Sequence, residues 1–532
     1  MKYLKETILV ASAASQALGL PSWVSTKDVE AALAKLGVDI AKIPQLNDDP
    51  ADNDCHSACD ALDHLYSSGK VFASGNPAYQ NVTQSYWSAQ QGVVKPSCIF
   101  APSVDAEVSV VVLLSQLTNC PFAAKSGGHV AFSGASNSQG GITITFRDLN
   151  DITLNSDKTV ASIGPGSTWG QVYKALDPEG LAVVGGRMSD IGIGGFVTGG
   201  GISYHSNQYG WALDNVKSFE VVSAETGDIL TASESQNSDL YWALRGGGNN
   251  FGLVTMFNMY TIPSSKLWGG TRVYSEDQFS KVIGAFVDAA KKAKSDGKAQ
   301  QYVMFANMGG TNIASAELTY TKDVKKAPGI FEKYSAIPAV SDATSTRSLV
   351  QYCDDMAAQD PYGLREVFWN RSFKLDENFA NWLVNHWFSV LPKASSIQGA
   401  VVGLVLQVIT EPILEKMSKA GGNALGLDAS SGPILLAHVL GMWNSTSDDE
   451  TIYRFINDFY SAAASEAKNK GLANDFIYMN YASHFQDAIA SYGARNKAKL
   501  QRIASKYDPH GVYQTLQPGY FKLAHGPEPN PY

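Results

Sequence analysis

Two stretches of this chain carry residue types whose spacing suits chemistry. In the first, Ser126-Gly127-Gly128-His129 ends a strand-like segment, Pro121 to Lys125. Adjacent glycines expose backbone N–H groups and permit positive φ, so such a turn wraps an anion closely and sets an imidazole at its tip. Taken alone, a surface turn with a solvated histidine explains it equally well. The second stretch, Gly185 to Gly201, holds eight glycines in seventeen residues. It lacks the strand-to-helix opening and the spaced acidic residue of a dinucleotide fingerprint. Two close-approach backbones in one unit call for a large flat ligand. A further segment places Tyr478, Asn480 and Tyr481 together, with no spacing that by itself marks a site. A phenol with an ordinary pKa of about 10 is a poor base at neutral pH, so a tyrosine that takes a proton needs a cation nearby. The alternative is that the tyrosines alternate on a strand, one packing and one lining a pocket. His205 is a further acid/base candidate, though a structural histidine fits as well. No G-x-S-x-G elbow, H-E-x-x-H or P-loop is present.

The elements that must position these residues are legible in the pattern. The text PSCIFAP reads as a strand entry, and Val104 to Leu117 as a crossover helix capped by Ser103 with an acidic first turn. Pro121 to Lys125 returns as a strand. The first glycine turn thus lies at the carboxyl end of a βαβ unit, where α/β folds bind ligands. Strands follow at Gly141 to Phe146 and Thr159 to Ile163, a helix at Ser167 to Leu176, and a lead-in, Leu181 to Val184, to the second glycine run. Val216 to Ser223 and Asp228 to Thr231 form a hairpin, Asp239 to Leu244 a helix, and Leu253 to Tyr260 a strand. Thr26 to Leu36 and Cys55 to Tyr66 are helices upstream. Glycine thins out beyond residue 270, which marks a boundary. The region 266–471 mixes amphipathic helices (Ser275 to Lys294, Asp448 to Lys468) with apolar strands (Ala400 to Thr410, Gly432 to Met442), an α+β pattern of a sheet covered by helices on one face. The chain closes with a helix, Asn496 to Tyr507. Trp369, Trp382, Trp387 and Trp443 either line an apolar pocket or belong to the core.

Composition narrows the function classes. A chain of 532 residues is expected to form two domains. Its formal charge of −9, without a basic cluster, argues against a nucleic-acid partner, and no apolar run suits a membrane span. Residues 1–20 read as a secretory signal peptide. Sequons at Asn81, Asn370 and Asn444 suit the same route, as do Cys55, Cys59, Cys98 and Cys120, which are expected to form two disulfides of undetermined pairing and to leave Cys353 over. The group Cys55, His56, Cys59 and His64 fits no standard zinc spacing, and no metal site is expected.

The segments PSCIFAPSVDAEVSVVV, AAKSGGHVAFSGA, GPGSTWGQVYKAL, GGRMSDIGIGGFVTGGGISYHSNQYGWALDNV, SDLYWALRGGGNNFGLVT, YMNYA and YDPHGVYQTLQPGYFKL occur in this order. In content and spacing the chain resembles the PCMH-type FAD-binding, berberine-bridge-enzyme-like flavoproteins of the vanillyl-alcohol oxidase superfamily, and their fungal secreted branch above all. The resemblance implies an α+β fold: a bipartite FAD-binding domain from residues 21–265 and 472–532, with an inserted α+β substrate domain, 266–471, of antiparallel sheet covered by helices. It implies FAD held by Lys125, Ser126, Gly127, Gly128, His129, Val130, Gly186, Ser189, Gly192, Gly194, Gly195, Gly199, Gly200, Gly201, Val254 and Asn480. It also implies a covalent bond from a ring nitrogen of His129 to the flavin 8α-methyl. Relatives with a second attachment use a cysteine where this chain has Met188, so His129 is expected to be the sole tether. Ile191 stands where some relatives control oxygen access. Tyr478 and Tyr481 are the catalytic candidates. The implied activity is a monomeric, secreted oxidase that takes a hydride from an alcohol, amine or activated C–H of a small natural product and passes electrons to oxygen. An oligosaccharide oxidase, a flavin-fold cyclase and a non-catalytic binding protein are the rivals.

Overall fold

The first strand-helix-strand passage forms as its pattern requires, with one change of order. The computed structural model describes residues 26–46, 55–66 and 69–532; the predicted signal peptide lies outside them. Strands β1 (Val71–Ala73), β2 (Cys98–Phe100), β3 (Phe122–Lys125) and β4 (Ile142–Thr145) build a sheet in the order β1-β2-β4-β3. The helix Asp105–Leu117 crosses from β2 to β3, but β4 lies between them, parallel to both. Every residue of β4 is buried, as a strand covered on both faces requires, and such a strand belongs inside the sheet. Ser103 does not cap the helix; Val104 precedes it, and Glu107 Oε2 accepts the Ser103 N–H at 2.8 Å.

A second, antiparallel sheet contains β5 (Ile152–Leu154), β6 (Val160–Ile163), β7 (Leu181–Val183), β8 (Val216–Val222), β9 (Ile229–Ser233) and β10 (Leu253–Pro263). Its order is β5-β6-β10-β8-β9, with β7 also on β10. The end of the chain closes this region. Phe122 N–H donates to Leu516 O (2.6 Å), the Tyr513 hydroxyl to Val222 O (2.8 Å) and Asn250 Nδ2 to Phe521 O (2.9 Å).

The third sheet draws its strands from Leu267 to Asn474: β11 (Leu267–Ser275), β12 (Ala299–Met308), β13 (Thr311–Tyr320), β14 (Ser341–Asp342), β15 (Ser345–Arg347), β16 (Arg365–Lys374), β17 (Val401–Ile409), β18 (Ile434–Trp443) and β19 (Ala473–Asn474). They pair antiparallel in the order β14-β11-β13-β12-β17-β18-β16-β19, with β15 also on β11. Side chains alternate across a strand, and one face packs against the helices Phe279–Lys292, Glu377–Val390 and Asp449–Asn469. Trp369, Trp387 and Trp443 are buried in that core and Trp382 packs against it, so the tryptophans line no pocket. The opposite face, with Glu366, Phe368 and Asn370 on β16, meets the glycine-rich region.

Cys55 is bonded to Cys120 and Cys59 to Cys98, so the thiols of the imagined metal group are consumed in cross-links and Cys353 is free and buried. Both bonds tie the helix Cys55–Tyr66 to the first sheet and its helix. Replacing Cys55 and Cys120 by serine is expected to destabilise the protein by about 2–5 kcal/mol. Thermal unfolding should show the loss without reductant, and equal midpoints for variant and parent would contradict it. Among the sequons, Asn81 and Asn444 are exposed. Asn370 is not an acceptor in this fold: it is fully buried, and its side chain bonds both the N–H and the carbonyl of Tyr478.

Candidate functional site

The site begins where β3 runs out. Lys125 ends the strand with its ammonium buried, 3.2 Å from Gly127 O and 4.8 Å from the centre of the Tyr86 ring. Burial pulls its pKa down to about 8. Gly128 takes φ of 78°, a left-handed conformation that suits glycine. Among the described residues, the N–H groups of Gly127, Gly128, His129 and Val130 donate to no protein acceptor.

His129 follows, its ring stacked on Trp87 at 4.2 Å and 10°. Its Nε2 stands 3.3 Å from Asp360 Oδ2, within ion-pair reach but out of hydrogen-bond alignment, so that buried nitrogen has no hydrogen-bond partner. Buried polar atoms left unpaired are costly. Free N–H groups of this kind suit anionic oxygens. The residues present fit the FAD that the sequence implies.

The second glycine run packs against the first at close quarters. A Cβ on Gly192 would fall on the Gly127 backbone nitrogen and within 2.6 Å of its Cα, and Ser126 Oγ accepts the Gly194 N–H at 3.0 Å. These glycines thus serve backbone-on-backbone contact. Gly186 backs onto the Trp169 indole, Gly200 onto Tyr478 and Trp211, and Gly201 onto Ala212 and Phe196. Gly195 alone of the run faces open space, on the short helix Ile193–Gly199. Ser189 donates its N–H to Cys353 O, and Val254 lies in β10 opposite Val221. Gly192→Ala is expected to cost about 3 kcal/mol, since neither backbone can give way. A lowered unfolding midpoint together with reduced flavin content would bear this out; a variant as stable as the parent would refute it.

The tyrosines do not alternate on a strand. Residues Met479–Tyr481 form a 3-10 turn, because Asn370 grips both backbone groups of Tyr478 and the glycine run presses on its other side. The turn sends the two phenols to different neighbours. Tyr478 is buried, and its hydroxyl accepts from Gly201 N–H (2.9 Å) and Asn480 Nδ2 (3.0 Å). Burial, with the neighbouring Tyr481 second, raises its pKa well above the ordinary value, so it stays a neutral phenol. Asn480 also donates to Phe196 O at 3.0 Å and fills the space over Gly199. Tyr481 is half-buried and reaches the third sheet, where Arg187 Nη2 donates to its oxygen at 2.6 Å.

Around Tyr481 stand residues that the sequence reading missed. Arg187 also donates to Gln407 Oε1 (3.1 Å) and lies 4.9 Å over the Tyr302 ring. His438 stacks flat on Tyr481 at 4.2 Å and edges against Phe368 at 4.8 Å. Burial, and then the Arg187 charge, hold its pKa down to about 3, so the imidazole is neutral. Glu366 is buried, with Oε1 unpartnered and its pKa pushed up to about 9 by burial and then by Asp360. The register puts Val405 opposite His438, Leu440 opposite Phe368 and Met304 opposite Val405, an apolar patch beside this polar cluster. A single histidine in the otherwise apolar run of β18, and an arginine inside a glycine run, were the available signals. His205 is buried away from this cluster, with its pKa pulled down to about 4 by burial and neither ring nitrogen bonded. Among the described residues no cluster suited to a metal ion is present and no helix is long and apolar enough to cross a membrane.

Comparison with known proteins finds relatives in sequence and in fold. A family profile described as "FAD binding domain" matches residues 96–233. The chain is 35% identical to FAD-dependent monooxygenase FUP4 of Fusarium proliferatum over 82% of this chain and 87% of the relative. It is 30% identical to the bifunctional solanapyrone synthase of Alternaria solani, over 88% and 89%. Its fold matches 6-hydroxy-D-nicotine oxidase from Arthrobacter nicotinovorans with a TM-score of 0.73 at 19% identity, covering 86% of this chain and 98% of that one.

Proposed function

Because the chain belongs to the PCMH-type FAD-binding oxidoreductases of the berberine-bridge-enzyme-like family, we propose that it is a secreted oxidase of a small natural product, with FAD attached at His129 alone. It is an FAD-dependent enzyme, and bound FAD supplies a two-electron acceptor for hydride that oxygen then re-oxidises to yield hydrogen peroxide. Residues 21–265 and 472–532 would form the FAD domain and 266–471 the substrate domain, with the short strand β19 reaching just past that boundary.

The observation that carries the reading is the pair Tyr481 and Arg187. Arg187 donates to the Tyr481 oxygen at 2.6 Å and fixes it at the face of the third sheet, so Tyr481 is the proton acceptor of this reading. Tyr478, neutral and held by Gly201 and Asn480, positions it by edge contact at 4.8 Å. The N–H groups of residues 127–130 would hold the pyrophosphate, with Lys125 and Ser126 bracing the turn. Met188, which forms no such bond, leaves His129 as the tether.

The apolar patch of Met304, Val405, Leu440 and Phe368 supports a hydrophobic substrate over an oligosaccharide. The decisive assay mixes purified protein anaerobically with panels of alcohols, amines and sugars. Bleaching of the flavin by apolar alcohols or amines, and peroxide release on adding oxygen, are expected; bleaching by sugars alone would overturn the substrate reading. The synthase name of the Alternaria relative supports a second reading, ring closure after oxidation. Product formation with chemically reduced flavin would favour it.

A further inference from the structure

The pairing of Arg187 with Tyr481 leaves part of the guanidinium unused, and this bears on what the site receives. The inference rests on the reading that the sheet face beside Tyr481 is the substrate site. A guanidinium carries more N–H donors than the two engaged here by Gln407 and Tyr481. Among the described residues no carboxylate is within salt-bridge distance of Arg187; Glu317, whose oxygens accept from Thr271 and Tyr352, acts on it from farther off, and the guanidinium lies over the face of Tyr302. A half-buried guanidinium whose partners are a phenol, an amide and a ring has its charge incompletely answered. Beside it, the buried His438 presents Nε2 with no hydrogen-bond partner. Neutral imidazole offers a donor or acceptor there according to tautomer. Next to these polar atoms the sheet is apolar, through Phe368, Leu440 and Met304.

We propose that Arg187 and His438 form a receptor for an organic oxyanion, so that the substrate carries a carboxylate or an equally delocalised enolate at one end of an apolar body. The guanidinium fork binds two oxygens of such a group, which a neutral alcohol or sugar cannot offer. The anion completes the charge balance of the site when it enters. Its apolar remainder lies along the patch on β16, β18 and β12.

Benzoate and benzamide, equal in shape and different in charge, test this on the purified flavoprotein. Binding is read from the perturbed flavin absorbance and from quenching of protein fluorescence. Benzoate is expected to bind about tenfold or more tighter than benzamide, and Arg187→Gln and Arg187→Met should each erase the difference while keeping the flavin spectrum. Equal affinities in the parent protein, tighter binding of neutral cellobiose, or a difference that survives in both variants would overturn the proposal. A Tyr481→Phe variant separates it from the reading beneath. Preference for benzoate retained while flavin reduction is lost supports both. Preference retained with normal flavin reduction sinks the proton-acceptor role and leaves the receptor standing.

Discussion

His129→Ala is expected to precipitate colourless from acid, whereas the parent protein is expected to keep its yellow, fluorescent flavin in the pellet. The turn at Gly127 to Val130 carries donors that no described protein group satisfies. Four successive N–H groups donate to no protein acceptor among the described residues, and the imidazole that follows them is fixed flat against Trp87 with Nε2 unpaired. Stacking sets the ring plane, and a ring nitrogen is expected to form the bond to the flavin. With alanine the N–H cradle is intact, and FAD is expected to bind reversibly and wash out on denaturation. Peptide mapping of the parent should place the flavin on the fragment containing His129 and not on that of Met188. Covalent flavin in His129→Ala would show that another residue is the tether.

Tyr481→Phe is expected to slow substrate-driven flavin reduction by about 10²–10⁴-fold, the usual contribution of a positioned proton acceptor. Phenylalanine keeps the stack on His438 and the contact with Phe368 and removes only the oxygen that Arg187 holds. Tyr478→Phe should have the smaller effect on reduction and the larger on stability, because it strands the Gly201 N–H and frees Asn480. Rapid-mixing absorbance under anaerobic conditions measures the first and thermal unfolding the second. If the two variants were equally slow to reduce, the division of roles between the tyrosines would fail.

What the sequence made legible follows from locality. The turn at Ser126 to His129, the glycine run and the helix Cys55–Tyr66 are written in consecutive residues, and each was readable with close bounds. The placement of β4 was not, because strand order depends on which strand is covered on both faces. The alternative of a strand at Tyr478 gives way to a turn because Asn370, more than a hundred residues earlier, takes its backbone bonds. The sequon at Asn370 misled for the same reason. Arg187, Trp87, His438 and Glu366 escaped notice since each gains meaning from a partner on a distant strand. The cost of an unpaired atom such as His438 Nε2 exists only after folding.

The closure of the first domain by the end of the chain also governs the order of events during synthesis. Phe122 waits for Leu516, Val222 for Tyr513 and Asn250 for Phe521, while the whole third sheet is made in between. On a ribosome the cradle at Gly127 emerges early, yet Tyr481 and the strap that seals β3 arrive last. A chain cut off before Tyr478 therefore lacks both phenols beside the glycine run and the bond that Leu516 O accepts from β3.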